Sequence, residues 1–274
     1  MVDYILQKND EDIESEFIYH YTDGISLLSI LEKNELWLTE RNYMNDVLEE
    51  EYVLALIRDK FKNNPTFQGS LVDRSLHERT PQYFFSTSTE KDLIHQWGYY
   101  STTDSYCIEF RRHEIRDYLL NFKEKYDNLF YGPVIYDKEK AEKILSDRLS
   151  DYEKLVIEMI NSNEFDPKNK RKRNIAKDVY QYFYSLIKQH GHYCEKEYRF
   201  VFRTNRVPSF KIKTGLFVPY IKIGGENENK IPINKIIIGP NNNEAIAIKS
   251  LKNLLDIKMY TNVNVEKSEL KIRG

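Results

Sequence analysis

The chain has 274 residues, 41 % hydrophobic and 31 % charged, with 41 basic against 43 acidic side chains and a formal net charge of −2. No apolar run approaches the roughly 18 residues that a helical membrane span needs, and the charge balance gives no global attraction to nucleic acid. Two cysteines, Cys107 and Cys194, exclude a disulfide framework and the usual zinc spacings, so no metal is expected.

The N-terminal stretch carries Asp3, Asp10, Glu11, Asp12, Glu14 and Glu16 and has no basic-then-apolar leader, which predicts a cytoplasmic protein. Phe17–Tyr21 reads as a short strand, followed by a helix started by Asp23 or Ser26 with Leu27, Leu28, Ile30 and Leu31 on its apolar side. Glu35–Thr39 is a second strand. Asn42–Glu49 is a polar loop, and Glu50–Lys62 has the spacing of an amphipathic helix. Gln82–Ser88 reads as a buried strand running into a polar turn, Asp92–Tyr100 as a helix, and Ser105–Phe110 and Gly132–Tyr136 as strands. Helical spacing then runs through Lys138–Ile160, is broken at Asp166-Pro167, and returns over Ile175–Gln189. Glu195–Phe202, Gly215–Val218, Ile221–Ile223 and Lys235–Ile238 continue a sheet; Asn243–Leu255 is a helix and Asn262–Glu266 a last strand. Strands and helices do not alternate regularly, and neither a dinucleotide-binding glycine motif nor a P-loop is present. The expected fold is α+β: a split, mainly antiparallel sheet with flanking helices, in one domain over residues 1–274 with a helical insertion at about 137–190.

The stretch most pointed toward chemistry is Glu195-Lys196-Glu197-Tyr198-Arg199-Phe200-Val201-Phe202. On a strand, alternation puts Tyr198, Phe200 and Phe202 on one face, toward the core, and Glu195, Glu197 and Arg199 on the other. Two carboxylates forced to one side repel unless a cation, water or a ligand offsets them. The simpler reading of that face is a solvated one with a local ion pair. A second cluster is Tyr19-His20-Tyr21-Thr22 at a strand end; a third is Phe85-Ser86-Thr87-Ser88-Thr89, whose hydroxyls serve either a ligand or simple capping. The densest basic patch is Lys168, Lys170, Arg171, Lys172 and Arg173, with Tyr180, Tyr182 and Tyr184 nearby; it reads as a solvated face or as a nucleic-acid contact.

The order of these clusters resembles the ADP-ribosyltransferase superfamily: a His-bearing strand, a strand ending in Ser-Thr-Ser, then a strand with Glu-x-Glu. The chain also resembles a bacterial family of uncharacterised domains over nearly its whole length. The matching residues are Tyr19-His20-Tyr21-Thr22, Asn45-Asp46-Val47-Leu48-Glu49, Phe85-Ser86 with Trp97 and Tyr100, and Glu195-Lys196-Glu197-Tyr198-Arg199. Val47, Ser105 and His192 depart from that family's usual Pro, Gly and Trp.

The resemblance implies NAD as substrate, with no metal. It makes Glu197 the carboxylate that stabilises the oxocarbenium-like ribose, and Glu195 the group that orients or deprotonates the acceptor. His20 and Thr22 would bind the adenosine ribose, Ser86 would support Glu197, and Tyr21, Trp97 or Tyr100 would stack on the nicotinamide. Asn45 and Asp46 join the NAD-binding set, and Arg199 meets the pyrophosphate or pairs with Glu195. A toxin or phage-defence effector is implied, acting on RNA or DNA in preference to protein, with an antitoxin or inhibitory protein as a candidate partner. NAD hydrolysis and noncatalytic binding of a nucleotide or protein are the alternatives.

Overall fold

The computed structural model describes residues 13–44, 49–60, 62–63, 80–100, 104–126, 128–144, 185–213, 215–240 and 244–270. The fold is α+β, built on a ten-stranded sheet in which every pairing but one is antiparallel. Most of the helical insertion, residues 145–184, lies outside the described residues.

β1 (Phe17–Asp23) runs directly into α1 (Gly24–Lys33), because the Asp23 carboxylate accepts from the Ser26 N–H at 2.6 Å and caps the helix. Asn34 ends α1 in the left-handed conformation, φ 53°. β2 (Glu35–Glu40), a 3₁₀ turn (Arg41–Tyr43) and α2 (Glu49–Lys60) follow. Next come β3 (Gln82–Ser88), α3 (Ile94–Tyr100), β4 (Ser105–Arg111), α4 (Arg112–Leu120) and β5 (Asn128–Pro133). After a 3₁₀ turn (His190–Glu195) the chain forms β6 (Glu197–Arg203), β7 (Ser209–Lys213), β8 (Leu216–Gly224), β9 (Ile233–Ile238), α5 (Glu244–Ile257) and β10 (Asn264–Lys267).

The sheet branches at β3. β6 pairs with β3 along its whole length, Gln82↔Arg203 to Ser88↔Glu197. A strand has two edges, so β1 and β2 must share the other one. β1 takes it at Tyr19↔Ser88, and β2 takes it at Thr39↔Phe84 and Glu40↔Tyr83. Between these two points β1 and β2 diverge. From β1 the sheet continues through β4 and β9 to β10; from β2 it continues through β8 to β7.

Both faces are buried in the middle of the molecule. β1 sends Ile18 into the main core, whereas Tyr19 and Tyr21 pack with Trp97, Cys107 and Ile237 in a second cluster under α3. Double burial weakens the polar/apolar alternation of a half-exposed strand, so β3, β4 and β9 carry adjacent apolar residues, Tyr83-Phe84-Phe85, Cys107-Ile108 and Ile236-Ile237-Ile238.

Sequence reasoning misplaced several elements. β5 lies earlier than Gly132–Tyr136, and α4 and β7 were not foreseen. β8 is continuous through Pro219, which sits one residue before the β2 ladder begins at Tyr220. The crossing of α1 with the 225–231 turn is fixed by Asn34. Its amide donates to the carbonyls of Gly225 and Asn229 at 2.9 and 3.0 Å, and its oxygen accepts from the Ile231 N–H and the Tyr260 hydroxyl at 3.0 and 2.9 Å. Gly224, at φ +100°, lies so close that a Cβ there would stand 2.3 Å from the Asn34 carbonyl oxygen.

Candidate functional site

Glu197 opens β6, and it does not share a strand with Glu195 as the alternation argument assumed. Glu195 closes the preceding 3₁₀ turn, and Lys196 between them adopts the left-handed conformation, φ 47°. That break resets the alternation and still leaves both carboxylates facing one cavity. The Ser88 hydroxyl donates to the Glu195 carbonyl at 2.9 Å and the Thr89 N–H to the Lys196 carbonyl at 2.8 Å, so the end of β3 holds the turn.

The polar face of β6 is not solvated. Arg199 is 1 % exposed and Glu197 7 %. The guanidinium uses all five of its N–H donors. Nε and Nη2 donate to the two oxygens of Glu197 at 2.7 and 2.8 Å. Nη1 and Nη2 donate to the two oxygens of Glu49 at the start of α2, and Nη1 also reaches the Ser185 carbonyl at 2.8 Å. Arg199 therefore pairs with Glu197 and Glu49, not with Glu195, and retains no donor for a pyrophosphate.

Glu195 has its own partners. Lys188 Nζ lies 2.7 Å from one of its oxygens, and His192 Nδ1 2.9 Å from the other. Lys188 also stands 3.5 Å from Glu197. Burial works against the Glu197 carboxylate, but the charges of Arg199 and Lys188 outweigh it and pull its pKa down to about 2. The Ser86 hydroxyl lies close enough to add to that shift without forming a well-aligned hydrogen bond of its own. Burial also works against the Lys188 ammonium, but Glu197 and Glu195 turn its net shift upward. The group sets three carboxylates, Glu49, Glu195 and Glu197, against the cations of Arg199 and Lys188, with His192 beside Glu195.

The cavity encloses about 120 Å³. That is below the roughly 300–1,000 Å³ of typical ligand pockets and suits one flat ring. Its walls are Tyr19 and Tyr21 from β1, Ser86, Thr87 and Ser88 from β3, Gln96 and Tyr99 from α3, Met44, and the ionic group. Burial pushes the Tyr19 and Tyr21 phenols upward in pKa, so both are neutral.

The expected residues are not all brought together. Glu197, Glu195, Ser86 and Tyr21 line the cavity. His20 does not: alternation from Tyr19 and Tyr21 turns it to the other side of β1, where its ring lies 4.6 Å from Phe85 and Nδ1 donates to the Ser86 carbonyl at 2.9 Å. It thus ties β1 to β3 beyond their single paired position, Tyr19↔Ser88. Burial lowers its pKa to about 4 and keeps it neutral. Thr22 is buried beside β4, again off the cavity. Trp97 is 1 % exposed, packs edge-on against Tyr21 with ring centroids 4.9 Å apart, and donates to Asp92; it is core, and the neighbouring Tyr99 lines the cavity instead. Asn45, Asp46, the Tyr100 side chain and Lys168, Lys170, Arg171, Lys172 and Arg173 lie outside the described residues.

Glu49, Lys188, His192 and Tyr19 were missed. Glu49 carried a signal as the closing residue of the Asn45–Glu49 motif. Lys188, one charge after Leu186-Ile187, carried none without the fold. Among the described residues no group of His, Cys, Asp and Glu is arranged to hold a metal ion, and no helix is long and apolar enough to cross a membrane. No protein-family model, curated protein or solved structure matches the chain.

Proposed function

We propose that the cavity binds the nicotinamide end of NAD and that the protein transfers ADP-ribose to a macromolecule. One observation carries this reading: a buried, ionised carboxylate, Glu197, fixed by Arg199 in a tyrosine-walled cavity lined by more carboxylates than Lys or Arg side chains. Such a site suits a cationic ring and the positive charge that develops on ribose as nicotinamide leaves. Each Glu197 oxygen keeps an acceptor site beyond its bond to Arg199, enough for a ribose hydroxyl. The branched sheet accords with the ADP-ribosyltransferase-like split that the motifs imply. Glu195, gripped by Lys188 and His192 at the mouth, is the group that meets the acceptor. The preference for RNA or DNA over protein, and the toxin or phage-defence setting, rest on the sequence resemblance and the basic patch alone.

A specific observation favours the noncatalytic alternative: a bidentate Glu197–Arg199 pair is also what a structural ion pair looks like. Incubation with NAD labelled in the adenylate half separates the readings. Label on RNA, DNA or protein is the expected result; free ADP-ribose means a hydrolase, and intact NAD a binder. Glu197→Gln keeps the shape and removes the charge, and we expect it to fold while the rate drops by about 10²–10³. Wild-type rates in a folded Glu197→Gln protein end the catalytic assignment.

A further inference from the structure

The small cavity leaves most of a dinucleotide outside it, and a second feature of the same sheet face is suited to the outer part. Strand register places Lys211, Tyr220, Thr39, Phe84, Ser86 and Glu197 on one face: Tyr220 pairs with Ser209 and with Thr39, Thr39 with Phe84, and Ser88 with Glu197. Lys211 belongs to β7, the last strand on that side of the sheet. An edge lysine ordinarily points to water and blunts the edge. Lys211 instead reaches inward across β8, passes over the Tyr220 ring at 5.7 Å, and donates to the Thr39 hydroxyl of β2 at 3.1 Å. Thr39 is the residue at which the β2 ladder with β3 ends, so the ammonium stands beside the gap between β1 and β2.

Among the described residues no carboxylate lies within ion-pair distance of Lys211; Asp23 acts on it only at longer range. Burial lowers its pKa, with Lys213 adding to the effect, so the cation loses water without gaining an anion. A half-buried ammonium with one hydroxyl partner has two donors to spare. The molecule thus gathers carboxylates around the tyrosine-walled cavity and leaves an ammonium without a carboxylate partner beside the strand gap.

We propose that Lys211, assisted by Thr39, is an anion subsite that takes a phosphate of the dinucleotide, with the gap between β1 and β2 as the path joining it to the Glu197 cavity. This rests on the NAD reading for its ligand, but not for its charge chemistry. Lys211, and not Arg199, then supplies the cation for the pyrophosphate.

Calorimetric titration at low ionic strength tests it, with NAD, inorganic pyrophosphate and nicotinamide riboside as probes, on wild type, Lys211→Met and Lys211→Arg. We expect Lys211→Met to weaken NAD and pyrophosphate roughly ten- to a hundredfold, the range of a lost charge-assisted hydrogen bond. Nicotinamide riboside, which has no phosphate, keeps its affinity, and Lys211→Arg retains most of the NAD binding. Equal affinity of wild type and Lys211→Met for NAD and pyrophosphate overturns the subsite. So does a wild-type protein that binds neither, or a loss equal for all three probes with a lowered melting temperature. Pyrophosphate binding that depends on Lys211, together with no binding of NAD or nicotinamide riboside, upholds the subsite and removes the NAD reading.

Discussion

Two buried polar hubs hold this fold, and they are built from opposite materials. Asn34 ties α1, the 225–231 turn and Tyr260 together with a neutral amide. Arg199 ties β6, α2 and the segment around Ser185 together with ions. The amide hub fixes a chain crossing with modest desolvation. The ionic hub takes several full charges out of water, a cost that a well-packed apolar cluster avoids. It also opens onto a cavity and leaves a carboxylate in excess. A charged hub is a costly way to fix three elements, and this one also forms a cavity wall.

The largest expected effect comes from Arg199→Met, which strands Glu49 and Glu197 as buried carboxylates. Urea denaturation at neutral pH is expected to show a loss of about 3–5 kcal/mol. A loss below about 1 kcal/mol makes the hub dispensable for stability and strengthens its contrast with Asn34.

Asn34→Ala comes next, at about 2 kcal/mol, from buried carbonyl and N–H groups left without partners. Asn34→Gly keeps the left-handed backbone at φ 53° more readily than Ala. If the glycine variant matches wild type, the backbone conformation matters and the amide network does not.

The smallest effect is a pH dependence. A group whose pKa is lower in the folded state binds fewer protons there than in the unfolded chain, so stability falls as pH falls. For His20 that window runs from about 6.5 down to about 4; for Glu197 it runs from 4.5 down to about 2. We expect His20→Asn to flatten the melting temperature between pH 6.5 and 4 and to leave the steeper loss below pH 4.5. Parallel curves for wild type and variant would place His20 in an open, titrating environment.

The two hubs also differ in how far the sequence announced them. The Glu197-x-Arg199 pair was legible because strand alternation forces those side chains together, and Glu197 did open a strand. Its burial was not legible, because what covers that face is Glu49, 150 residues away from Arg199 in the chain, and the turn bearing Lys188. Glu195 was placed on the cavity for the wrong reason, since Lys196 breaks the strand between the two carboxylates. His20 and Thr22 fall off the cavity because alternation within β1 says which residues share a side but not which side meets it. The mainly antiparallel α+β class followed from the spacing of apolar runs. The missed β7, Ser209-Phe210-Lys211-Ile212-Lys213, does alternate, but it turns Phe210 and Ile212 outward and leaves Lys211 partly buried, the reverse of what its pattern suggests. Asn34 was not singled out; its partners Gly225, Asn229, Ile231 and Tyr260 lie 191 to 226 residues further along the chain.

The branch at β3 also bears on how the chain comes off the ribosome. β3 is complete at Ser88, but the strand that covers its full length ends at Arg203, and β4 waits for Ile233–Ile238. Pairings so distant in sequence form slowly, and a nascent chain carries unpaired strand edges until its partners emerge. Glu49 meets its neutralising arginine only when β6 arrives. The cavity thus lacks its Lys188-to-Arg199 wall until late in synthesis, and a stalled or truncated chain ending before β6 lacks both Glu197 and the strand that completes β3. The Glu197–Arg199 pair and the ladder along β3 therefore assemble only after Arg203, 203 of the 274 residues, has been translated.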